Sequence, residues 1–275
     1  MTRIVVLGDL NVDVVAVQET SLAHGSDTAA RVSLQPGGGG ANVAAWLAKL
    51  GVEVTLIGRV GKDALAPVAL SGLDGVDLQV VHDPHRATGT CIVLVSPGGE
   101  RTMLPDPGAN DAIAVGDLPP LDGDILHVSG YSLMRPGSRA AAMAAIDRAR
   151  EAGMKISVDP ASAAPLANDP VFLQRIAPID LLLPNADEAA VLGPQIDVPE
   201  LVVKFGADGA RWTNGVDTVT GRAVPVDDVV DTTGAGDAFA AGFLSVWPTG
   251  TAGDALAAGA NCAAEAVTRV GSRAS

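Results

Sequence analysis

Short, unbroken apolar runs alternate with helix-favouring stretches along almost the whole chain. Residues 4–7 form an apolar, β-branched run closed by Gly8-Asp9. Residues 41–50 are apolar and helix-favouring and stop at Gly51, after which residues 54–57 read as a second buried strand. Further strand-like runs follow at 125–128, 156–158, 181–183 and 201–205, with a helical stretch at 138–152 that ends on Gly153. The last third closes with two Ala-rich helices, 235–246 and 252–268. Strands that are apolar at every position need cover on both faces. The pattern therefore predicts an α/β fold with a central, mostly parallel β-sheet flanked by helices.

Two regions break that rhythm. Residues 12–34 hold alternating, polar-rich segments around a loop at Gly25-Ser26-Asp27. Residues 90–104 read as two strands joined by Pro97-Gly98-Gly99-Glu100, a hairpin signal. The two predict a small β-rich flap outside the main sheet; the alternative is a pair of ordinary surface hairpins. The sequence shows no internal repeat, low-complexity linker or second-domain boundary, so one domain is expected over residues 1–275.

Composition narrows the partners. Hydrophobic residues make up 48% of the 275, ample for one large core. The formal net charge is −14, and Lys49, Lys62, Lys155 and Lys204 are the whole lysine complement. Such a chain is a poor binder of nucleic acid or anionic membrane, whose affinity rests on clustered Lys and Arg. Small anions held by backbone amides stay open. Cys91 and Cys262 are isolated, which argues against a disulfide framework and a structural zinc. The apolar run at the start is too short for a signal peptide, and no stretch approaches the ~20 apolar residues of a membrane span, so a cytoplasmic place is expected.

Three segments carry candidate chemistry. Asp231-Thr232-Thr233-Gly234-Ala235-Gly236-Asp237 precedes an Ala-rich helix. Its glycines let the backbone approach a ligand, and the helix N-terminus suits phosphate. A carboxylate in an anion site repels phosphate unless it takes a proton from the attacking group, as phosphoryl transfer to an alcohol requires of Asp237. The plainer reading has Asp237 only complementing the helix dipole. Gly37-Gly38-Gly39-Gly40-Ala41-Asn42 opens the first helix but is neither a Walker A loop nor a dinucleotide fingerprint; a flexible turn explains it as well. Gly8-Asp9-Leu10-Asn11-Val12-Asp13 follows the first strand, where open α/β sheets bind ligands. Asn11 and Asp13 share side-chain parity and could face one site, although an Asx-rich turn accounts for them too.

Together these segments resemble the two signature regions of the ribokinase-like (PfkB) carbohydrate kinases, over nearly the whole chain. Gly8 to Asp13 looks like the family's N-terminal sugar-contact segment. Gly98-Gly99-Glu100-Arg101 and Gly108-Ala109-Asn110 resemble its lid hairpin and the return from it. Asn185-Ala186-Asp187-Glu188 matches its Asn-x-x-Glu motif, and Lys204 to Gly209 its nucleotide-loop strand. Residues 266–271 are similar to the tail that helps hold a monovalent cation.

What the resemblance implies is an ATP-dependent sugar kinase with a small β-lid, its segments within roughly residues 12–36 and 88–105. Asp237 would be the general base, and the amides of Gly234, Ala235 and Gly236 the anion hole. The acceptor would contact Asn11, Asp13, Gly38, Gly39 and Asn42. ATP would lie near Asn185, Lys204, Gly206, Gly209 and Asn261. Magnesium would be held through water on Glu188. Potassium would bind at Asp231, Thr233, Ala266, Arg269, Gly271 and Ser275. Two departures from the ribokinase pattern, Gly39 in place of a lysine and Ser129-Gly130 in place of an acidic sugar ligand, speak against ribose itself. Fructose, ketodeoxygluconate and nucleoside acceptors stay open, as does a non-catalytic binding protein. Arg101 could reach the acceptor or remain solvated, and an exposed lid edge could pair with a second copy to give a homodimer. The histidines His24, His82, His85 and His127 have no metal partners in sequence, and Trp46, Trp212 and Trp247 read as core or interface.

Overall fold

The computed structural model describes residues 2–247 and 249–274. Its strands in chain order are β1 (Arg3–Leu7), β2 (Asn11–Gln18), β3 (Ala30–Gly37), β4 (Glu53–Gly61), β5 (Val76–Asp83), β6 (Gly89–Val95), β7 (Arg101–Asp106), β8 (Ile125–Ser129), β9 (Lys155–Asp159), β10 (Leu181–Leu182), β11 (Glu200–Lys204), β12 (Ala210–Thr213) and β13 (Thr218–Gly221). The α-helices are α1 (Gly39–Lys49), α2 (Ala66–Ala69), α3 (Gly130–Met134), α4 (Arg139–Glu151), α5 (Ala163–Leu166), α6 (Phe172–Ile176), α7 (Ala186–Leu192), α8 (Ala235–Val246) and α9 (Ala252–Ala266).

The strands form two sheets. The larger has nine, in the order β13-β12-β11-β10-β9-β8-β1-β4-β5, and is parallel from β5 to β11. The antiparallel pairs β11–β12 and β12–β13 close one edge. Side chains on a strand point alternately to the two faces. In β1, Ile4 and Val6 join a core layer with α1, α8 and α9, while Val5 and Leu7 join a second layer with α4 and α6. Cover on both sides explains why this strand carries no polar residue after Arg3. Ala41, Ala44, Ala240 and Ala241 are wholly buried in the first layer, where small side chains let the helices come close.

The second sheet has four strands in the order β3-β2-β6-β7. It holds the two segments that broke the sequence rhythm, with β2 and β6 parallel at its centre. β2 follows β1 after three residues, so the second sheet rises directly from the carboxyl end of the first. The helices and strands expected from the apolar pattern are present within one to four residues of their expected ends. Strands β5, β12 and β13 had no such signal. β5 lies at a sheet edge with Asp77, Gln79 and His82 among its residues, and of its eight residues only Asp83 is buried. Among the described residues, no helix is long and apolar enough to cross a membrane.

Candidate active site

The site grows from the carboxyl ends of β1, β9 and β11, where the parallel sheet leaves a crevice. At β1 the chain turns under the start of α1. A Cβ on Gly40 would stand 2.5 Å from Gly8 Cα, so only glycines permit this crossing. The turn sets Asp9 beneath the glycine run. Asp9 Oδ1 accepts from the Ser129 hydroxyl (3.1 Å) and Oδ2 from the Asn11 side-chain amide (3.2 Å). Asn110 fastens the same turn: its Nδ2 donates to Asn11 Oδ1 at 2.9 Å and to the Leu10 carbonyl at 3.0 Å. Asp13, one step up β2, lies over Gly37. Burial and the charge of Asp9 push its carboxyl up to about 6, partly offset by Arg273.

The second wall is the start of α8. Gly234 takes a left-handed conformation (φ 76°), and a Cβ there would meet Ser272 at 2.6 Å. No side chain caps this helix. Ala235 N turns back to the Thr232 carbonyl at 3.3 Å, and among the described residues the Gly236 and Asp237 amides have no acceptor. Uncapped amides at a helix N-terminus suit a phosphoryl group. Asp237 sits in the first turn, and its Oδ2 accepts from Asn42 Nδ2 at 2.8 Å. Asn42 Oδ1 in turn accepts from the Ser272 hydroxyl at 3.1 Å. Desolvation pushes the Asp237 carboxyl up to about 7; the bond from Asn42 and the Lys204 charge work against the rise, while Asp159 and Asp9 add to it.

A buried ion pair forms the floor. Lys204 Nζ meets Asp159 Oδ2 at 2.6 Å, and it would lie 3.6 Å from a Cβ on Gly236. The ammonium therefore stands beside the uncapped helix start. Burial opposes its charge, but Asp159 and Glu188 outweigh that and hold its pKa above the ordinary lysine value. Glu188 closes a capping box at α7: each of its oxygens accepts from Asn185, whose own Oδ1 accepts from Glu188 N. Burial and the charge of Asp159 move its carboxyl upward. His127 is buried with its Nδ1 2.8 Å from the Ser157 hydroxyl, a core contact in the central sheet.

Asp231 joins three segments. Its Oδ1 accepts from Thr233 N (2.7 Å) and its Oδ2 from Gly271 N (3.2 Å). Arg101, at the start of β7, pairs with Oδ1 at 2.6 Å and donates to the Thr232 hydroxyl at 3.0 Å. Arg101 thus ties the second sheet to the loop ahead of α8.

The structure thus brings Asn11, Asp13, Gly38, Gly39, Asn42, Gly234, Ala235, Gly236 and Asp237 to one crevice, with Lys204 and Glu188 beneath it. Asn11 and Asn42 turn out to hold other site residues with both ends of their amides. Gly206 opens a 3-10 turn after β11 and Gly209 follows it, and Asn261 is exposed on α9. The tail segment of Ala266, Arg269 and Gly271 meets Asp231 through Gly271 N; Ser275 lies outside the described residues. Sequence reasoning missed Asp9, Asp159, Ser272 and Arg273. Arg273 is 7% exposed, donates to the carbonyls of Ala69, Ser71 and Gly37, and leaves Nε without a partner. Asp159 ends an apolar strand, the one signal that could have found it.

The pfkB family carbohydrate kinase model matches residues 1–275. An ATP-dependent ribose-1-phosphate kinase of Halopiger xanaduensis is 35% identical, covering 99% of this chain and 94% of its own. A fructokinase of Vibrio alginolyticus is 32% identical over 89% of this chain and 84% of its own. A double-mutant fructokinase from Vibrio cholerae O395, solved with fructose, ADP and potassium ion, is 25% identical and superposes with a TM-score of 0.79, covering 99% of this chain and 94% of the other.

Proposed function

Since this chain belongs to the pfkB family of carbohydrate kinases, we propose that it transfers the γ-phosphate of ATP to a primary hydroxyl of a small sugar, with Asp237 as general base. The observation that carries this reading is the placement of Asp237. Its carboxyl is raised to about 7, beside two amides without acceptors and 3.5 Å from where a Cβ on Gly39 would stand. A group with that pKa is half ionised at neutral pH and can accept the hydroxyl proton as the bond to phosphorus forms. Asn42 holds the accepting carboxylate in place. The amides of Gly236 and Asp237, together with Lys204, stabilise the charge on the transferring group; Gly234 and Ala235 shape the turn that aims them.

The acceptor lies against Asp13, Gly38 and Gly39, framed by Asn11 and Asn42, and the second sheet acts as its lid. The nucleotide lies along Asn185, Lys204, Gly206 and Gly209, with Asn261 at its outer edge. Magnesium, arriving with the phosphates, would be held through water on Glu188, where a cation would offset the burial of that carboxylate and the nearby charge of Asp159. It supplies neutralisation of phosphate charge. For potassium the residues fit in part: both oxygens of Asp231 are already engaged, so the ion would rely on the carbonyls of Thr233, Ala266, Arg269 and Gly271 and share Asp231 with Arg101. The −14 charge supports a protein without nucleic-acid or membrane partners, working in the cytoplasm.

A homodimer through the lid has one supporting feature. Leu34, Val14, Ile92 and Leu104 stand in register across all four strands of the second sheet, and three of them are about half exposed. That row lies on the face opposite Asp13. A twofold contact would set it against itself.

The names of the relatives offer fructose-type and ribose-1-phosphate-type acceptors. A coupled assay of ADP release over sugars, acid sugars, sugar phosphates and nucleosides tests the reading. ATP-dependent turnover on a sugar supports it; turnover confined to nucleosides favours a nucleoside kinase. No turnover on any acceptor contradicts it.

A further inference from the structure

Two tryptophans and a glutamate meet at the end of the large sheet opposite the catalytic crevice. Glu200 opens β11, the strand that ends at Lys204. Trp247 follows α8, the helix whose first turn carries Asp237. Trp212 comes from β12, in register with Val202. Each oxygen of the Glu200 carboxylate accepts one indole N–H: Oε2 from Trp212 at 2.6 Å and Oε1 from Trp247 at 3.0 Å. A cavity of about 470 Å³ opens against this trio, with Pro199, Asn214 and Thr251 also on its wall. Pockets for small molecules run from about 300 to 1,000 Å³, so the space is large enough for one.

The charge of the trio is unbalanced. Both donors to Glu200 are neutral, and no Lys or Arg lines the cavity. A second carboxylate stands close by, since Thr251 on the wall donates to Asp254 Oδ2 at 2.6 Å. A carboxylate has about four lone-pair sites, so the two indoles leave Glu200 room to accept more. With its N–H edge turned to Glu200, each indole offers a ligand its ring, and aromatic rings attract cations. A carboxylate, two rings and no positive side chain therefore favour a cationic occupant. A hard metal ion needs about six oxygen ligands, and among the described residues no group of three or more His, Cys, Asp or Glu could hold one. An organic cation with an apolar body meets both the rings and the carboxylate.

We propose that this cavity binds a small organic ammonium ion, whose N–H groups donate to Glu200 and whose apolar part packs against Trp212 and Trp247. The site lies at the far ends of β11 and α8 from Lys204 and Asp237, and the inference stands independently of the kinase reading.

The test is titration of the full chain with butylammonium, 1-butanol and butyrate at matched ionic strength. Calorimetry reads the affinity, and the indole N–H signals of Trp46, Trp212 and Trp247, assigned with Trp→Phe variants, report the place by NMR. Butylammonium should bind once per chain with a Kd of about 1–10 mM, as befits so small a ligand. It should bind at least about tenfold more tightly than the alcohol or the carboxylate. The Trp212 and Trp247 signals should move together and saturate, while that of Trp46, which donates to the Ser272 carbonyl at 3.4 Å, stays in place. Glu200→Gln keeps the shape and loses the charge, and should weaken binding about tenfold or more. Thermal melting checks that the variant folds; should it not, the contrast between ammonium and alcohol on wild type, with the two indole signals, decides the matter. No saturation up to about 100 mM overturns the proposal. So does equal binding of the alcohol, or a Trp46 signal that moves with the other two. An affinity unchanged in Glu200→Gln overturns it as well, because the amine then sits at acidic groups elsewhere on the chain.

Discussion

Asp237 is tuned by groups from four separate elements: Asn42 of α1, Asp9 after β1, Asp159 at the end of β9 and Lys204 at the end of β11. Their signs give opposed expectations. The base works only when ionised, so kcat/KM should fall about tenfold per pH unit below roughly pH 7. Removing the Lys204 charge withdraws support for the carboxylate, so Lys204→Met should move that acid limb to higher pH. Removing the Asp159 charge relieves repulsion, so Asp159→Asn should move it to lower pH. A pH–rate profile of the two variants checks this, and a shift of both in one direction contradicts it. The same tuning costs stability. A carboxyl whose pKa is raised on folding binds more protons in the folded state, so its contribution fades as pH climbs from about 4 to about 7. Asp159 and Ser272, missed from sequence, share one cause at this scale: their partners are remote. Lys204 is 45 residues from Asp159, and Ser272 is 230 from Asn42. No local spacing could report either pair.

At the scale of elements, the segment from Asp231 to Asp237 was legible because its chemistry is local: two glycines, a turn and a helix start in seven residues. The bounds of α8 follow from the Ala-rich stretch itself. β5 was illegible because a polar edge strand lacks the apolar run that marks a central one. The Arg101–Asp231 contact joins β7 to the loop before α8, and so couples the second sheet to the turn that carries the Gly236 and Asp237 amides. Arg101→Met should raise the acceptor KM about fivefold, the worth of roughly 1 kcal/mol for a half-buried pair. It should also deepen activation by potassium, because a monovalent cation then meets Asp231 without a competing guanidinium. Kinetics in potassium and in a matched large-cation salt check both effects; a variant indifferent to potassium and unchanged in KM would dismiss the coupling.

For the molecule as a whole, two sheets share one crevice; the proposed reading sets the phosphate end on the nine-stranded sheet and the acceptor end on the four-stranded one. If the apolar row on the second sheet joins two copies, Ile92→Asp should turn a dimer into a monomer by light scattering, whereas a wild type monomeric at micromolar concentration removes the dimer. The account as a whole turns on whether this crevice moves phosphate with Asp237 as its base. The direct measurement is turnover of purified Asp237→Asn on the best acceptor, alongside ATP affinity and thermal melting. The account predicts unchanged ATP affinity, an intact fold and a kcat lowered by about 10²–10⁴-fold. Turnover within about threefold of wild type would contradict it, since loss of a general base costs far more.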